Sequence, residues 1–351
     1  MPATDGPAQT TASPTASPNP QARLDALGVS FLDADLEAAM HADLAAVEAQ
    51  MREAVRSSYP FLAETSGHLV AAGGKRFRPL LVLLAARFGD ASLPGVVQAA
   101  VAIELTHLST LYHDDVMDEA PIRRGTDSAN ARWSNTIAIL TGDFLFARAS
   151  ELTADLGTEA TRILARTIAL LCEGQIRETV GPGEDDEPVE HYLQVVAEKT
   201  GSLIATSARL GAMLAGADEA TVAMLASYGE KIGVAFQLSD DLLDVVGNAA
   251  DFGKTPGTDL REGVATLPTL LAARSTDLSL RPLQALLDRP LAEVDIADAL
   301  TALRGSSVVE EARAEVQRWA DDARAAIAGL PAGPAKDALE TLAGVVVTRV
   351  S

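Results

Sequence analysis

The run His113-Asp114-Asp115-Val116-Met117-Asp118-Glu119 packs most of the chain's chemical potential into two helical turns. On a helix, Asp114 and Asp118 form an i,i+4 pair on one face, with Asp115 about 100° around the axis. Unpaired carboxylates at that spacing repel by roughly 0.2–0.5 kcal/mol. Pro121 ends the helix just beyond them, so the negative pole of the helix dipole disfavours them further. Asp240, Asp241 and Asp244 repeat the spacing 126 residues later, again near a helix end, marked by Gly247. A single acidic triplet reads as a solvated face. These two are framed by Leu105, Leu108 and Leu111 and by Phe236, Leu238, Leu242, Leu243 and Val245, which makes both helices interior. Carboxylates on interior helices need compensating cations. Two such clusters lining one cavity make a hard, oxygen-only site suited to Mg²⁺ bridging to a phosphate-bearing ligand. The spacing fits neither an EF-hand loop nor an HExxH zinc site.

Gly73-Gly74-Lys75-Arg76-Phe77-Arg78-Pro79 sets three cations within four residues after a flexible glycine pair, and Arg123-Arg124-Gly125 follows the first aspartates. Such clusters are unexpected in a chain of 351 residues with 49 Asp and Glu against 28 Lys and Arg, a net charge of −21. That balance argues against sequence-independent nucleic-acid binding and against a sticky anionic-membrane surface. Isolated basic runs usually pair with surface acids. Here they sit in Gly/Pro-bounded loops, one adjoining the aspartates, which favours phosphate binding by Arg forks and a compact Lys charge. His107 taken alone reads as a core histidine. The single cysteine, Cys172, excludes a disulfide framework and any multi-cysteine metal site, and reads as an inert core residue on an apolar helix.

The elements that must position these residues are helices. Leu36, Met40, Leu44, Val47, Met51 and Val55 recur at spacings of 4, 4, 3, 4 and 4, an amphipathic pattern. Helical stretches follow at 61–72, 79–88, 93–119, 128–155, 158–180, 189–215, 218–247, 264–274, 281–289, 291–304, 307–328 and 334–348. Segments 93–113 and 222–246 are apolar over more than one face and belong inside a bundle. Breaks fall at 89–94, 119–125, 181–188 and 247–259, where Gly and Pro gather. Apolar residues make up 48% but aromatics only 4%, a Leu/Ala/Val/Ile core that suits helices. The expected fold class is all-α, one large domain over 29–351 behind a disordered Pro/Ser/Thr/Ala-rich tail over 1–28. Residues 2–20 hold five prolines and one charge, which is not a secretory signal. No run of 18 apolar residues occurs, so no membrane span is expected, and the protein reads as soluble and cytoplasmic.

Together GGKRFRP, ELTHLSTLYHDDVMDEAPIRRG (104–125), GDFLFARA (142–149), EKTGSL (198–203), FQLSDDLLDV (236–245) and GKTPGTDL (253–260) resemble the trans-isoprenyl diphosphate synthase (polyprenyl synthase) family, in that family's order. The resemblance runs from about residue 40 to the C-terminus. It implies a helical bundle around a deep central cavity, usually a homodimer. It implies that Asp114, Asp115, Asp118, Asp240, Asp241 and Asp244 bind Mg²⁺, three ions with substrate present, gripping an allylic diphosphate. Arg123, Lys199, Thr200, Gln237 and Lys254 match the family positions that assist there, and Lys75, Arg78, His107 and Arg124 match those that bind isopentenyl diphosphate. Catalysis would then rest on Asp114, Asp115, Asp118, Arg123, Lys199, Asp240 and Asp241. One departure is Val264, in DLREGVATLP, where the family often has Lys. It removes one potential phosphate contact, with Arg261 close by.

Product length can be argued from helix geometry. Going back from Asp114, the same face carries Thr110 and Ser109, then Thr106, then Ile103 and Ala102. Short-chain members of the family tend to carry bulky aromatics one turn before the aspartates. Ser and Thr there leave a tunnel open, so a long-chain polyprenyl diphosphate is expected, with a short-chain C15–C20 product as the alternative. Tyr112 lies off this face. A class I terpene cyclase would not need GGKRFRP and normally lacks a DDLLD-type second motif. A non-catalytic subunit of a heteromeric synthase would have lost aspartates that this chain keeps.

Overall fold

A computed structural model describes residues 32–247, 256–287, 289 and 291–350. The tail expected over 1–28, its boundary with the domain, and Lys254 lie outside the described residues. The leading apolar spacing does what it predicts: helix α1 (Ala34–Ala54) buries Leu36, Met40, Leu44, Val47 and Met51 along one stripe. Its start is capped by Asp33, whose carboxylate accepts from the Leu36 N–H at 2.7 Å. Helices α2 (Pro60–Ala71), α3 (Phe77–Ala85) and α4 (Pro94–Met117) follow, then a hairpin of β1 (Ile122–Arg123) and β2 (Thr126–Asp127). The middle of the chain forms α5 (Ala129–Arg132), α6 (Asn135–Asp155), α7 (Thr158–Val180), α8 (Pro188–Val196), a π-helical turn at Ala197–Gly201, α9 (Ser202–Leu214) and α10 (Glu219–Val246). The rest is α11 (Thr258–Glu262), α12 (Leu267–Arg274), α13 (Arg281–Leu287), α14 (Glu293–Arg304), α15 (Val308–Ala326) and α16 (Pro334–Thr348).

The two segments predicted to be interior are the axes of the bundle. Helix α4 packs on α6, α3, α9 and α1, and its Ala99–Ile103 stretch is fully enclosed. Helix α10 packs on α9 and α15 and buries residues along its whole length from Leu225 to Val245. Close helix approach needs small residues. A Cβ at Gly211 of α9 would sit 2.1 Å from the Val82 carbonyl oxygen of α3, so only glycine fits.

Four expectations need correction. The stretch 128–155, read as one helix, breaks at Trp133 and Ser134 between α5 and α6. The segment 119–125, read as a break between helices, holds β1 and the turn of a hairpin that closes with β2 just beyond it, with Ile122 opposite Asp127 and Arg123 opposite Thr126. Its two turn residues, Arg124 (φ 54°) and Gly125 (φ 75°), are both left-handed, as two-residue hairpins favour. The stretch 189–215, read as one helix, carries the π turn at 197–201. Cys172, expected in the core, is exposed, because the buried stripe of α7 runs through Ile163, Leu164, Thr167, Leu171 and Gly174. Among the described residues no helix is long and apolar enough to cross a membrane.

Candidate active site

Both aspartate clusters stand at the C-terminal ends of the two axial helices. Asp114 and Asp115 occupy the last turn of α4, and Asp118 is its C-cap. Asp115 is fully buried. Its Oδ1 accepts from Arg123 Nε at 2.5 Å, and its Oδ2 is buried with no hydrogen-bond partner. Burial pushes the Asp114 carboxyl from the ordinary 3.8 to about 6; Lys199 opposes the shift and Asp118 adds to it. Glu119, in the left-handed region at φ 48°, turns the chain away so that β1 can bring Arg123 back over Asp115.

On α10, Asp241 is 7% exposed. It accepts from Gln237 Nε2 at 2.8 Å and from the Tyr192 hydroxyl. Burial still pushes it to about 6, with Asp240 and Asp244 adding to the shift. The Tyr192 phenol is held well above its usual range by burial and by Asp241, so it stays a donor. Asp240 pairs with Arg349 Nη2 at 2.7 Å, and that guanidinium lies 5.1 Å over the Phe236 ring. Asp244 is engaged differently: its two oxygens accept the Thr258 and Asp259 N–H groups at 3.1 and 3.0 Å, capping α11.

The π turn connects the clusters. It directs Lys199 to Asp114, whose carboxyl feels its charge, and Lys199 Nζ also lies 2.5 Å from Glu178. The next residue, Thr200, donates to Gln237 Oε1 at 3.0 Å, and Gln237 in turn holds Asp241. Among the described residues no three acidic, His or Cys side chains already converge on one point that would hold an ion. The donor set nevertheless fits a hard divalent cation such as Mg²⁺: carboxylate oxygens only, two of them held near 6 by burial, and a buried Asp115 Oδ2 without a partner.

The basic cluster forms a separate pocket. Gly73 (φ 85°) and Gly74 (φ 144°) swing the chain so that Arg76 precedes α3 in the left-handed region at φ 55°. Arg78 is half-buried, with its buried Nε unpartnered and its guanidinium lowered to about 10 by desolvation, against the pull of Glu104. Arg124 is also lowered by burial, and donates to the Gly73 carbonyl and, at 3.4 Å, to that of Leu69. His107 is kept neutral: burial, then Arg78, Arg124, Arg76 and Arg123, hold its imidazole well below its usual range. Arg76, Arg78 and Arg124 against the two carboxylates of Glu48 and Glu104 leave a net positive charge, which suits this cluster to an anion. Phe77, between Arg76 and Arg78, stacks on Phe236 of α10 at 5.1 Å and 17°, so the basic pocket abuts the second aspartate helix. Lys75, Phe77, Phe236 and Arg349 enclose a cavity of about 10 Å³ between them, room for one water.

On the face of α4 before Asp114, Thr106 and Ser109 are buried and Thr110 is half-buried. Both threonine hydroxyls bond back to their own helix, to the carbonyls of Ala102 and His107. Tyr112 points elsewhere, donating to the Thr65 carbonyl at 2.5 Å. Val264 is 39% exposed, and nearby Arg261 is tied to Glu293 at 3.2 Å. The sequence reading missed Tyr192, Arg349, Arg76 and Glu104. Arg76 carried a signal, as the middle cation of KRFR; the others are lone polar residues whose partners are distant in the chain.

The profile of the family described as polyprenyl synthetase matches residues 59–303. A nonaprenyl diphosphate synthase of Mycobacterium tuberculosis is 46% identical over 324 residues, covering 92% of this chain and 97% of that protein. A heptaprenyl diphosphate synthase component 2 of Geobacillus stearothermophilus is 42% identical, covering 86% and 94%. The crystal structure of a geranylgeranyl pyrophosphate synthase from Corynebacterium glutamicum, complexed with calcium and isoprenyl diphosphate, superposes with a TM-score of 0.83 at 44% identity, covering 92% of this chain and 99% of that one.

Proposed function

Because this chain belongs to the polyprenyl synthetase family, we propose that it is a trans-prenyltransferase condensing isopentenyl diphosphate head-to-tail with an allylic diphosphate. The observation that carries the reading is the pairing of opposite charge deficits. At the ends of α4 and α10 burial raises Asp114 and Asp241 to about 6, and beside them burial lowers Arg78 to about 10 and lowers Arg124 as well. Asp114, Asp115, Asp118, Asp240, Asp241 and Asp244 would hold Mg²⁺, which when bound supplies the positive charge that stabilises a leaving diphosphate. Arg123 and Lys199 stand beside the first aspartates and add fixed donors for the charge that builds as the allylic C–O bond breaks. Lys75, Arg78, Arg124 and neutral His107 take the diphosphate of isopentenyl diphosphate. The Phe77–Phe236 stack helps exclude water from the allylic cation, which the double bond of isopentenyl diphosphate attacks. The proton then lost goes to the departed diphosphate, so no protein base is required.

A long-chain product is supported by the small buried Thr106 and Ser109 and the half-buried Thr110, and by the nonaprenyl relative; the geranylgeranyl relative favours a shorter one. A homodimer is supported by an apolar surface on α6 and α7 formed by Ile139, Leu140, Phe146, Leu170 and Ile176, all exposed. Incubation with farnesyl and isopentenyl diphosphates in Mg²⁺, with mass analysis of the products, tests the reading. Prenyl diphosphates longer than C20, lost on chelation, are expected. A C15 or C20 end point would overturn the length, hydrocarbon release without isopentenyl diphosphate would indicate a cyclase, and no turnover would overturn the activity.

A further inference from the structure

Three non-glycine residues among those described adopt the left-handed conformation: Arg76, Glu119 and Arg124. Such conformations persist only where the surroundings enforce them, and they cluster where geometry matters to function. Two of the three are arginines of the basic pocket, and a single carboxylate touches both. Glu104 Oε1 lies 2.8 Å from Arg76 Nη1 and 3.9 Å from Arg124 Nη2. Glu104 is 2% exposed and sits on α4, one residue beyond its fully enclosed Ala99–Ile103 stretch. Arg76 is closed off completely: its Nε meets Glu48 Oε1 at 2.6 Å and its Nη2 reaches the Val70 carbonyl at 3.3 Å. Its side chain is fully enclosed, whereas neighbouring Lys75 is exposed and Arg78 half-buried. On the other side the Arg124 guanidinium lies flat against Gly74, where a Cβ would be 2.8 Å from its central carbon.

We propose that Glu104 is a positioning residue: it ties Arg76 and Arg124 to α4 while Glu48 ties Arg76 to α1, and so fixes the loop and helix start presenting Lys75 and Arg78 and the hairpin turn presenting Arg124 to the diphosphate of isopentenyl diphosphate. This rests on the assignment of the basic pocket to that substrate. Without an internal anion, Arg76, Arg78, Arg123 and Arg124 would repel one another around His107 and separate. Glu104 therefore opposes phosphate binding as a charge while enabling it as a clamp, and the two effects have opposite signs. That makes the test discriminating. A merely electrostatic Glu104 predicts tighter binding when it is neutralised; a clamp predicts weaker binding.

The test measures KM for each substrate, and calorimetric binding of isopentenyl diphosphate to the metal-free protein, in Glu104→Gln and Glu104→Asp. Glu104→Gln should raise the KM and the dissociation constant for isopentenyl diphosphate about tenfold, against less than twofold for the allylic KM. Glu104→Asp should recover part of the loss. An unchanged or lower value in Glu104→Gln, with the wild type binding normally, overturns the clamp alone. A wild type that does not bind isopentenyl diphosphate overturns the assignment beneath it as well. Should Glu104→Gln not fold, the triad can be replaced as a unit by Glu48→Leu, Arg76→Met and Glu104→Leu, since apolar side chains of similar size often substitute for a buried ion triad without loss of stability. A melting temperature at or above wild type with the same tenfold loss supports the clamp; full affinity overturns it.

Discussion

Asp241→Asn should make the metal-free protein more stable at pH 8. A carboxyl raised from 3.8 to about 6 holds its proton more tightly folded than unfolded. The stability this gives is fully present below about 3.8 and is lost as pH rises through about 6. A shift of that size corresponds to about 3 kcal/mol of strain in the ionised folded state. Asn removes the charge and can still accept from Tyr192, but its amide cannot also accept from Gln237 Nε2 in the present orientation. That unmatched donor costs about 1–2 kcal/mol, leaving a net gain of about 1–2 kcal/mol. For a chain of this size the gain corresponds to a rise in Tm of roughly 1–3 °C. Calorimetry in EDTA should show that rise at pH 8 and none at pH 4. Added Mg²⁺ should raise the Tm of the wild type more than that of the variant, because a ligand stabilises the state that binds it. A variant less stable than wild type at pH 8, or a difference independent of pH, would show that Asp241 carries no stored repulsion and refute the reasoning.

Ser109→Phe places a large ring on the buried face of α4 before Asp114 and should shorten the product; an unchanged length distribution would send the tail along another route. The same change overpacks the interior by about 1–3 kcal/mol, readable as a lower Tm. Gly74→Ala forces a Cβ into the Arg124 guanidinium at a φ of 144°, so the KM for isopentenyl diphosphate should rise about tenfold, and unchanged kinetics would mean that Arg124 moves at no cost. The accompanying strain of about 1–3 kcal/mol should appear as a lower melting temperature.

How far the sequence revealed the site depends on how local each signal is. The α1 stripe, the two axial helices and both aspartate clusters were legible because helical periodicity and acidic spacing span only a few residues. The π turn was not, since nothing in the Ala-Glu-Lys-Thr-Gly run of 197–201 marks how the backbone is wound there. Tyr192 and Arg349 were hidden by distance: each acquires its meaning from an aspartate 49 or 109 residues away, brought close by packing of α8 and α16 on α10. A lone Arg at the end of α16 reads from sequence as a cation suited to a helix C-terminus. KRFR hid a division of labour, because three neighbouring cations look equivalent until the left-handed backbone turns Arg76 inward.

The two charge deficits do not cancel each other, though they adjoin, because each is already braced. Arg123 is committed to Asp115, Asp244 to the N-terminus of α11, and Arg76 to Glu48 and Glu104. Among the buried side-chain atoms left without a hydrogen-bond partner are Arg78 Nε on one side and Asp115 Oδ2 on the other. Direct collapse of the basic loops onto the aspartates would have to break those braces and unstack Phe77 from Phe236. The pocket and the carboxylates therefore keep opposite unmet charge side by side, a state that favours an anion bearing its own divalent cations over either partner alone. Magnesium and diphosphate together should accordingly stabilise the fold by more than the sum of their separate effects. Simple additivity in thermal shifts would mean that the two sites fill independently.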